Sequence, residues 1–459
     1  MMDEPVQRLP LAERLNEGCQ CIWVDRDTLR SRLRADLGDA AALLESREGL
    51  VSGSVVFVGA REAASMDRTI RLITRALDSA AFQDEAAVRA PAIARRPQSN
   101  SGGVLGFDFH LGGPEPQLIE INTNPGGLLV SLELAHAATA SCDCLAKPLP
   151  GLAMATVELA ALGERPTHSF LEAWTSARGT APLRTIAIVD DEPQAQYLYP
   201  EFLLYQRLLE RAGWRVLVVD AAALTVGNDG LLLQGEQIDL VYNRLTDFYL
   251  AEERHAALRR AYESGSAVIT PHPAAHARYA DKRLLARLRD LTRLEAAGLT
   301  REEQEHLLRT MPPTEIVEAD AASALWARRK GLFFKPVDGY AGKAAYRGDK
   351  LTRSTFEQIL RQRYVAQDFA PTSFRRTSGA DGAETDLRVD VRNYALHGET
   401  WLRSARLYRG QTTNFRTTGG GFAPVLTLPD RDLDPDAMAW QAPGSPASHP
   451  RRPSTPACP

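Results

Sequence analysis

Three stretches of this sequence carry residues whose types and spacing suit chemistry. The first, FDFHLGGPEPQLIEINTNPGG, reads as two strands around a Pro/Gly turn. With side chains alternating along each strand, Glu120 and Asn122 share one face while Ile119 and Ile121 take the other. A turn centred on Pro114 leaves Asp108 six residues before it and Glu120 six after, which makes them cross-strand neighbours. Like charges set opposite each other in a sheet are destabilising, so the pair asks for a compensating cation. Two carboxylates and an amide oxygen suit Mg²⁺, which takes one or two carboxylates and completes its shell with water and phosphate. The bland alternative is an amphipathic hairpin with its polar face in water. The NPGG turn, whose glycines let backbone approach a ligand, favours the metal reading, with Asp108, Glu120 and Asn122 as candidate ligands.

The second stretch is basic. Lys335 sits inside the apolar strand LFFKPV, where an unpaired ammonium is costly, so it needs an anion. Downstream, GYAGK resembles half of a P-loop but has neither its spacing nor a following helix. A hairpin flap with Gly339 and Gly342 near its tip could still offer backbone N–H groups to phosphates; a plain glycine turn is the alternative. Lys282, in YADKRLLARL, carries less, because a helical surface lysine is usually solvated. The third stretch, DLRVDVRNYALHG then WLRSARLYRGQTTNFRTTGGG, sets Arg388, Arg406 and Arg416 on or beside strands. Parity puts Asp386, Arg388 and Asp390 on one face, either a cleft-facing row for phosphates or carboxylates, or a surface ion-pair ladder. The run Gly419, Gly420 and Gly421 favours the former, since a connector rarely needs three.

The elements that must position these groups follow from periodicity. Residues 51 to 59 (VSGSVVFVG) read as a buried strand and 66 to 80 (MDRTIRLITRALDSA) as an amphipathic helix. Strand, helix, strand alternation from TIAIVDDE through WRVLVVD to HAALRRAYESG predicts a parallel sheet. The fold class is therefore α/β (α+β). The divisions are 1–180, 181–280 and 281–430, with a Pro/Ser-rich tail at 431–459 expected to be disordered. The 459 residues hold 54 Lys+Arg and 58 Asp+Glu, a formal charge of −4, and 44% are apolar. That excludes wholesale disorder and gives no electrostatic footprint for nucleic acid. No apolar run is long enough to cross a membrane, and MMDEPVQRLPLAERL lacks the features of a signal peptide, so no membrane partner and a cytoplasmic location are expected. Five cysteines make a disulfide framework improbable; the C-x-C pairs Cys19/Cys21 and Cys142/Cys144 read as core-lining thiols rather than metal ligands. His272 and His276 have helical spacing, but the prolines around them argue against a metal pair.

Taken together, these motifs resemble an ATP-grasp ligase over roughly residues 104 to 430. FDFHLGGPEPQLIEINTNPGG is similar to the metal-binding end of such enzymes, which implies Mg²⁺ at Asp108, Glu120 and Asn122. FFKPVDGYAGKAAY resembles the phosphate-binding strand and glycine loop, which implies that Lys335, Gly339 and Gly342 meet ATP phosphates. ADKRLLARL resembles the helix with the other nucleotide lysine, Lys282. YVAQDFA looks like the hinge that receives adenine around Gln367 and Phe369, and the arginine strands imply that Arg388 and Arg406 meet acyl phosphate and nucleotide. The Glu-x-Asn strand precedes the lysines, an order resembling the circularly permuted, eukaryotic-type glutathione synthetases; that likeness puts Arg244 at the substrate site, with Gly419 and Gly420, and Asp338 near the metal. DGYAGK departs from that family in lacking consecutive glycines. The resemblance implies an ATP-grasp fold with permuted strand order plus a parallel-sheet substrate domain. It also implies ATP and Mg²⁺ as cofactors, amino acid or peptide substrates, a homodimer, and carboxylate–amine ligation through an acyl phosphate. Two alternatives stay open: nucleotide binding without turnover, and a phosphotransferase that stops at a phosphorylated product.

Overall fold

The computed structural model describes residues 10–140, 151–228, 230–339, 344–378 and 383–428. Cys142, Cys144, Gly342 and the 431–459 tail lie outside the described residues.

A seven-stranded sheet forms the centre, ordered Val56–Gly59, Gly421–Leu428, Glu399–Tyr408, Glu384–Leu396, Leu105–His110 and Gln117–Asn122, with Ser373–Ser378 also pairing to Glu384–Leu396. Strand parity sorts its two faces. Leu387, Val389 and Val391 point with Phe107, Ile121 and Ala405 into a core sealed by the helix Ala60–Asp78. That helix offers Ala63, Met66, Ile70, Ile73 and Leu77 at three- and four-residue intervals, the stripe an α-helix needs to cover a sheet. Arg388, Asp390, Arg392 and Tyr394 take the opposite face. The long strand Glu384–Leu396 is shared, its first half pairing with Ser373–Ser378 and its second half with the hairpin strand Leu105–His110.

The α/β alternation folds as expected into a parallel sheet ordered Val268–Thr270, Leu240–Asn243, Thr185–Asp190 and Arg215–Asp220. The segment around QGEQ divides: Gly230–Leu233 and Glu236–Gln237 pair with each other, while Leu240–Asn243 joins the parallel sheet. A third, antiparallel sheet runs Thr314–Ile316, Tyr364–Asp368, Leu332–Pro336, Tyr346–Arg347 and carries Lys335. Lys282 does not lie within a regular helix. It follows a π-turn, His276–Ala280, and caps the five-residue helix Arg283–Arg287. Among the described residues, no helix is long and apolar enough to cross a membrane.

Candidate functional site

The hairpin puts Asp108 directly opposite Glu120, as the turn arithmetic requires. Its register then skips one residue, since Phe109 pairs with Leu118, and Ile119 is left as a bulge. Ile119 therefore leaves the apolar face it was expected to share with Ile121 and is half-buried. The bulge re-aims its carbonyl, which accepts a hydrogen bond from Lys335 Nζ at 2.8 Å. The same ammonium donates to Gln367 Oε1 at 2.8 Å, and Gln367 Nε2 donates in turn to Thr314. Burial pushes the Lys335 ammonium down to about 8, with Glu120 opposing the shift and Lys282 reinforcing it. On the next residue of the hairpin, Glu120 Oε1 lies 3.0 Å from Lys282 Nζ, which also donates to the Gly339 carbonyl at 2.5 Å.

The charge that the opposed carboxylates demand is supplied by side chains. Asp108, 1% exposed, accepts from Arg392 Nε at 2.6 Å and Nη2 at 2.7 Å, and from Asn122 Nδ2 at 3.0 Å. Arg406 Nη2 lies 2.7 Å from Asp108 Oδ2 and 2.5 Å from Asp390 Oδ2. Burial alone would raise Asp108, but the two guanidiniums hold it well below the usual carboxylate range. Thr413 donates to Asp390 at 2.8 Å. Arg392 was not singled out from the sequence, although it shares parity with Asp390 in DLRVDVRNY and that spacing could have found it. Arg388 stands at the end of the same face, outside this chain of ion pairs: it donates to Thr372 at 3.1 Å and lies over the Phe374 ring.

Beyond the hairpin, the turn through Asn124 and Gly127 reaches the parallel sheet. Arg244, just after Leu240–Asn243, donates to Asn124 Oδ1 and, at 3.0 Å, to the Tyr242 hydroxyl. Glu201, fully buried, accepts from the amides of Gly127 at 2.8 Å and Leu129 at 3.1 Å, which open the helix Leu128–His136. A cavity of about 30 Å³ lies here, lined by Asn124, Phe170, Tyr205, Tyr242, Arg244 and Thr270. Arg244 Nε and Thr270 Oγ1 are buried without partners beside it. Asp190, at the carboxyl end of Thr185–Asp190, is raised by burial to about 6.

Other expected residues fall elsewhere. Phe369 donates its amide to the Gly331 carbonyl and exposes its ring beneath Arg347. Asp338 pairs with Arg363. Arg416 is exposed, and Gly419 accepts from Ser52. Gly420 meets a packing demand, because a Cβ there would come within 2.4 Å of the Leu407 carbonyl oxygen. His272 is satisfied at both ring nitrogens, by the Ala275 amide and the Asn100 carbonyl, so no metal pair with His276 is needed to explain it. Cys19 and Cys21 are buried in the small core that includes Phe57, but Cys21 is disulfide-bonded, so the expectation of a thiol there is corrected.

Among the described residues, no three His, Cys, Asp or Glu side chains group to hold a metal. Of the hairpin donors, Glu120 has one oxygen beyond its Lys282 contact, and Asn122 turns its nitrogen to Asp108 so that its own oxygen faces away. These two fit a Mg²⁺ shell completed by water and phosphate; Asp108, engaged by guanidiniums, does not.

A glutathione synthetase-like effector from Globodera pallida, solved in its apo form, superposes with a TM-score of 0.51 at 11% identity, covering 88% of this chain and 98% of that one. The chain has the fold of that effector. A gamma-glutamylcysteine synthetase-like protein from Methylobacillus flagellatus KT matches at TM-score 0.42 and 12% identity over 75% of this chain and 84% of its own. The ATP-grasp ligase PsnB matches at 0.28 and 14%, over 53% and 90%. No protein-family model matches the chain, and no curated protein matches it.

Proposed function

We propose that this glutathione synthetase-like fold is an ATP-grasp ligase, of permuted strand order, that joins a carboxylate to an amine and releases ADP and phosphate. One observation carries the reading: two lysines from far downstream, Lys335 and Lys282, close on consecutive residues of one hairpin strand, Ile119 and Glu120. Two ammonium groups beside oxygen donors are what a metal-bound triphosphate needs, and the permuted order is supported by that hairpin preceding both lysines in the chain. In the proposed reaction, Lys282 and Lys335 exchange their protein acceptors for phosphate oxygens, and Glu120 and Asn122 hold Mg²⁺. The ion would neutralise charge on the phosphoryl group in flight. Arg406, and Arg388 at the end of the face, stabilise the oxygens of the acyl phosphate that the substrate carboxylate becomes. Gly339 belongs to the phosphate-covering loop, and the Gln367 to Phe369 segment receives adenine. Arg244, at the cavity edge with its Nε unpartnered, receives the anionic end of an amino acid or peptide substrate.

The test is an ADP-release screen with paired amino acids and dipeptides. ADP formation that depends on an acid and is completed by an amine supports ligation. ADP formation that ignores the amine marks a phosphotransferase, and nucleotide binding without ADP marks a binding protein.

A further inference from the structure

Asp108 lies among the proposed donors, yet its surroundings assign it a different role. A carboxylate offers about four lone-pair sites on two oxygens. At Asp108 four donors are engaged: Arg392 Nε meets Oδ1 at 2.6 Å, while Arg392 Nη2 at 2.7 Å, Asn122 Nδ2 at 3.0 Å and Arg406 Nη2 at 2.7 Å crowd Oδ2. With 1% of its surface exposed, the carboxylate turns almost nothing toward solvent, and Oδ2 is already crowded by three donors. Coordinating a metal would require it to abandon a bidentate arginine fork, leaving a buried guanidinium unpaired.

Its partners lead in two directions. Arg406 continues to Asp390, whose other oxygen contacts no partner and whose charge is felt at Lys335. Arg392 continues to the turn after the hairpin, where Nη1 donates to the Gly126 carbonyl at 3.4 Å and the Tyr394 hydroxyl donates to the same oxygen at 2.8 Å. That turn carries Asn124, the acceptor of Arg244. One carboxylate thus fixes the arginine facing the nucleotide side and the turn facing the cavity.

We infer that Asp108 is a positioning residue, the shared counter-ion of Arg392 and Arg406, and not a donor to the divalent cation that the ligase reading places on Glu120 and Asn122. The cation half of this inference rests on the ligase reading; the counter-ion half does not.

The experiment compares full-length wild type with Asp108→Asn, Glu120→Gln, Arg392→Gln and the double variant Asp108→Asn/Arg392→Gln. Two quantities are read: Mn²⁺ affinity in the presence of a non-hydrolysable ATP analogue, and the thermal midpoint. Glu120→Gln should weaken Mn²⁺ by well over about 100-fold, whereas Asp108→Asn should cost about tenfold, the lower end of the range expected of a group that orients a ligand. Each single change at Asp108 or Arg392 should lower the midpoint by roughly 5 °C, and the double variant, with no unpaired charge, should regain most of that loss. Equal weakening by Asp108→Asn and Glu120→Gln would overturn the assignment. Wild type that takes up no Mn²⁺ would overturn the ligase reading instead, and the thermal arm would still decide the counter-ion role, since additive losses in the double variant would sink it.

Discussion

Half-buried between Ile119 and Gln367, Lys335 holds its proton only up to about pH 8. Its ordinary value is lowered because burial disfavours the charged form, so an anion that binds the ammonium must supply the proton's stabilisation. Nucleotide affinity should therefore be full below pH 8 and fall by about tenfold for each further pH unit until the bound-state value is reached. Isothermal titration with ATP from pH 7 to 9.5 measures this, and Lys335→Met should bind weakly with no such slope. Glu120→Ala should abolish ADP formation while leaving the far-ultraviolet spectrum and thermal midpoint close to wild type, because Glu120 is a partly exposed group with one ionic contact. At this scale the sequence was informative where parity applies. Asp108 and Glu120 face each other as the spacing predicts, whereas Lys335, expected to meet an anion, donates to a backbone carbonyl and an amide oxygen. It was silent on which cation answers Asp108, because Arg392 lies 284 residues away and only the register of Glu384–Leu396 brings it there.

Among the elements, the bulge at Ile119 is the feature that alternation could not reveal: a period of two assumes an uninterrupted ladder, and one extra residue changes which carbonyl faces Lys335. The turn after the hairpin is constrained more tightly. Gly127 has φ +96°, and a Cβ there would come within 2.2 Å of the Phe422 ring. Gly127→Ala should cost roughly 3 kcal/mol through backbone strain and overpacking together, read as a lower urea midpoint with an unchanged slope. Arg375 is a second such point. It is 1% exposed and donates to the carbonyls of Val55 at 2.8 Å, Asn16 at 3.0 Å and Cys19, fastening the helix Leu11–Gly18 to the strand Ser373–Ser378. Arg375→Met should lose about 3 kcal/mol, since the aliphatic stem is kept while buried carbonyls lose their donors. The equilibrium unfolding curve checks it.

Across the molecule, the two kinds of sheet differed in how far they could be foreseen. The parallel sheet is built from consecutive strand–helix units, so the alternation from Thr185 onward announces it. The central sheet joins Val56–Gly59 and the hairpin to strands more than 250 residues later, and no local pattern encodes such pairings. A consequence is that residues 10–280 alone would leave the edge of Leu105–His110 without the strand that pairs with it. That fragment should lack a cooperative thermal transition, and co-expression with 281–428 should restore one. The same long-range construction places Glu201, from the helix Tyr199–Arg211, against the amides that open Leu128–His136. A helix start is a ready-made receptor for negative groups, and here the protein has plugged it with a carboxylate of its own. On the proposed ligase reading, discrimination among acids would then fall to side chains such as Arg244 rather than to rigid main chain, and a few substitutions would retune it.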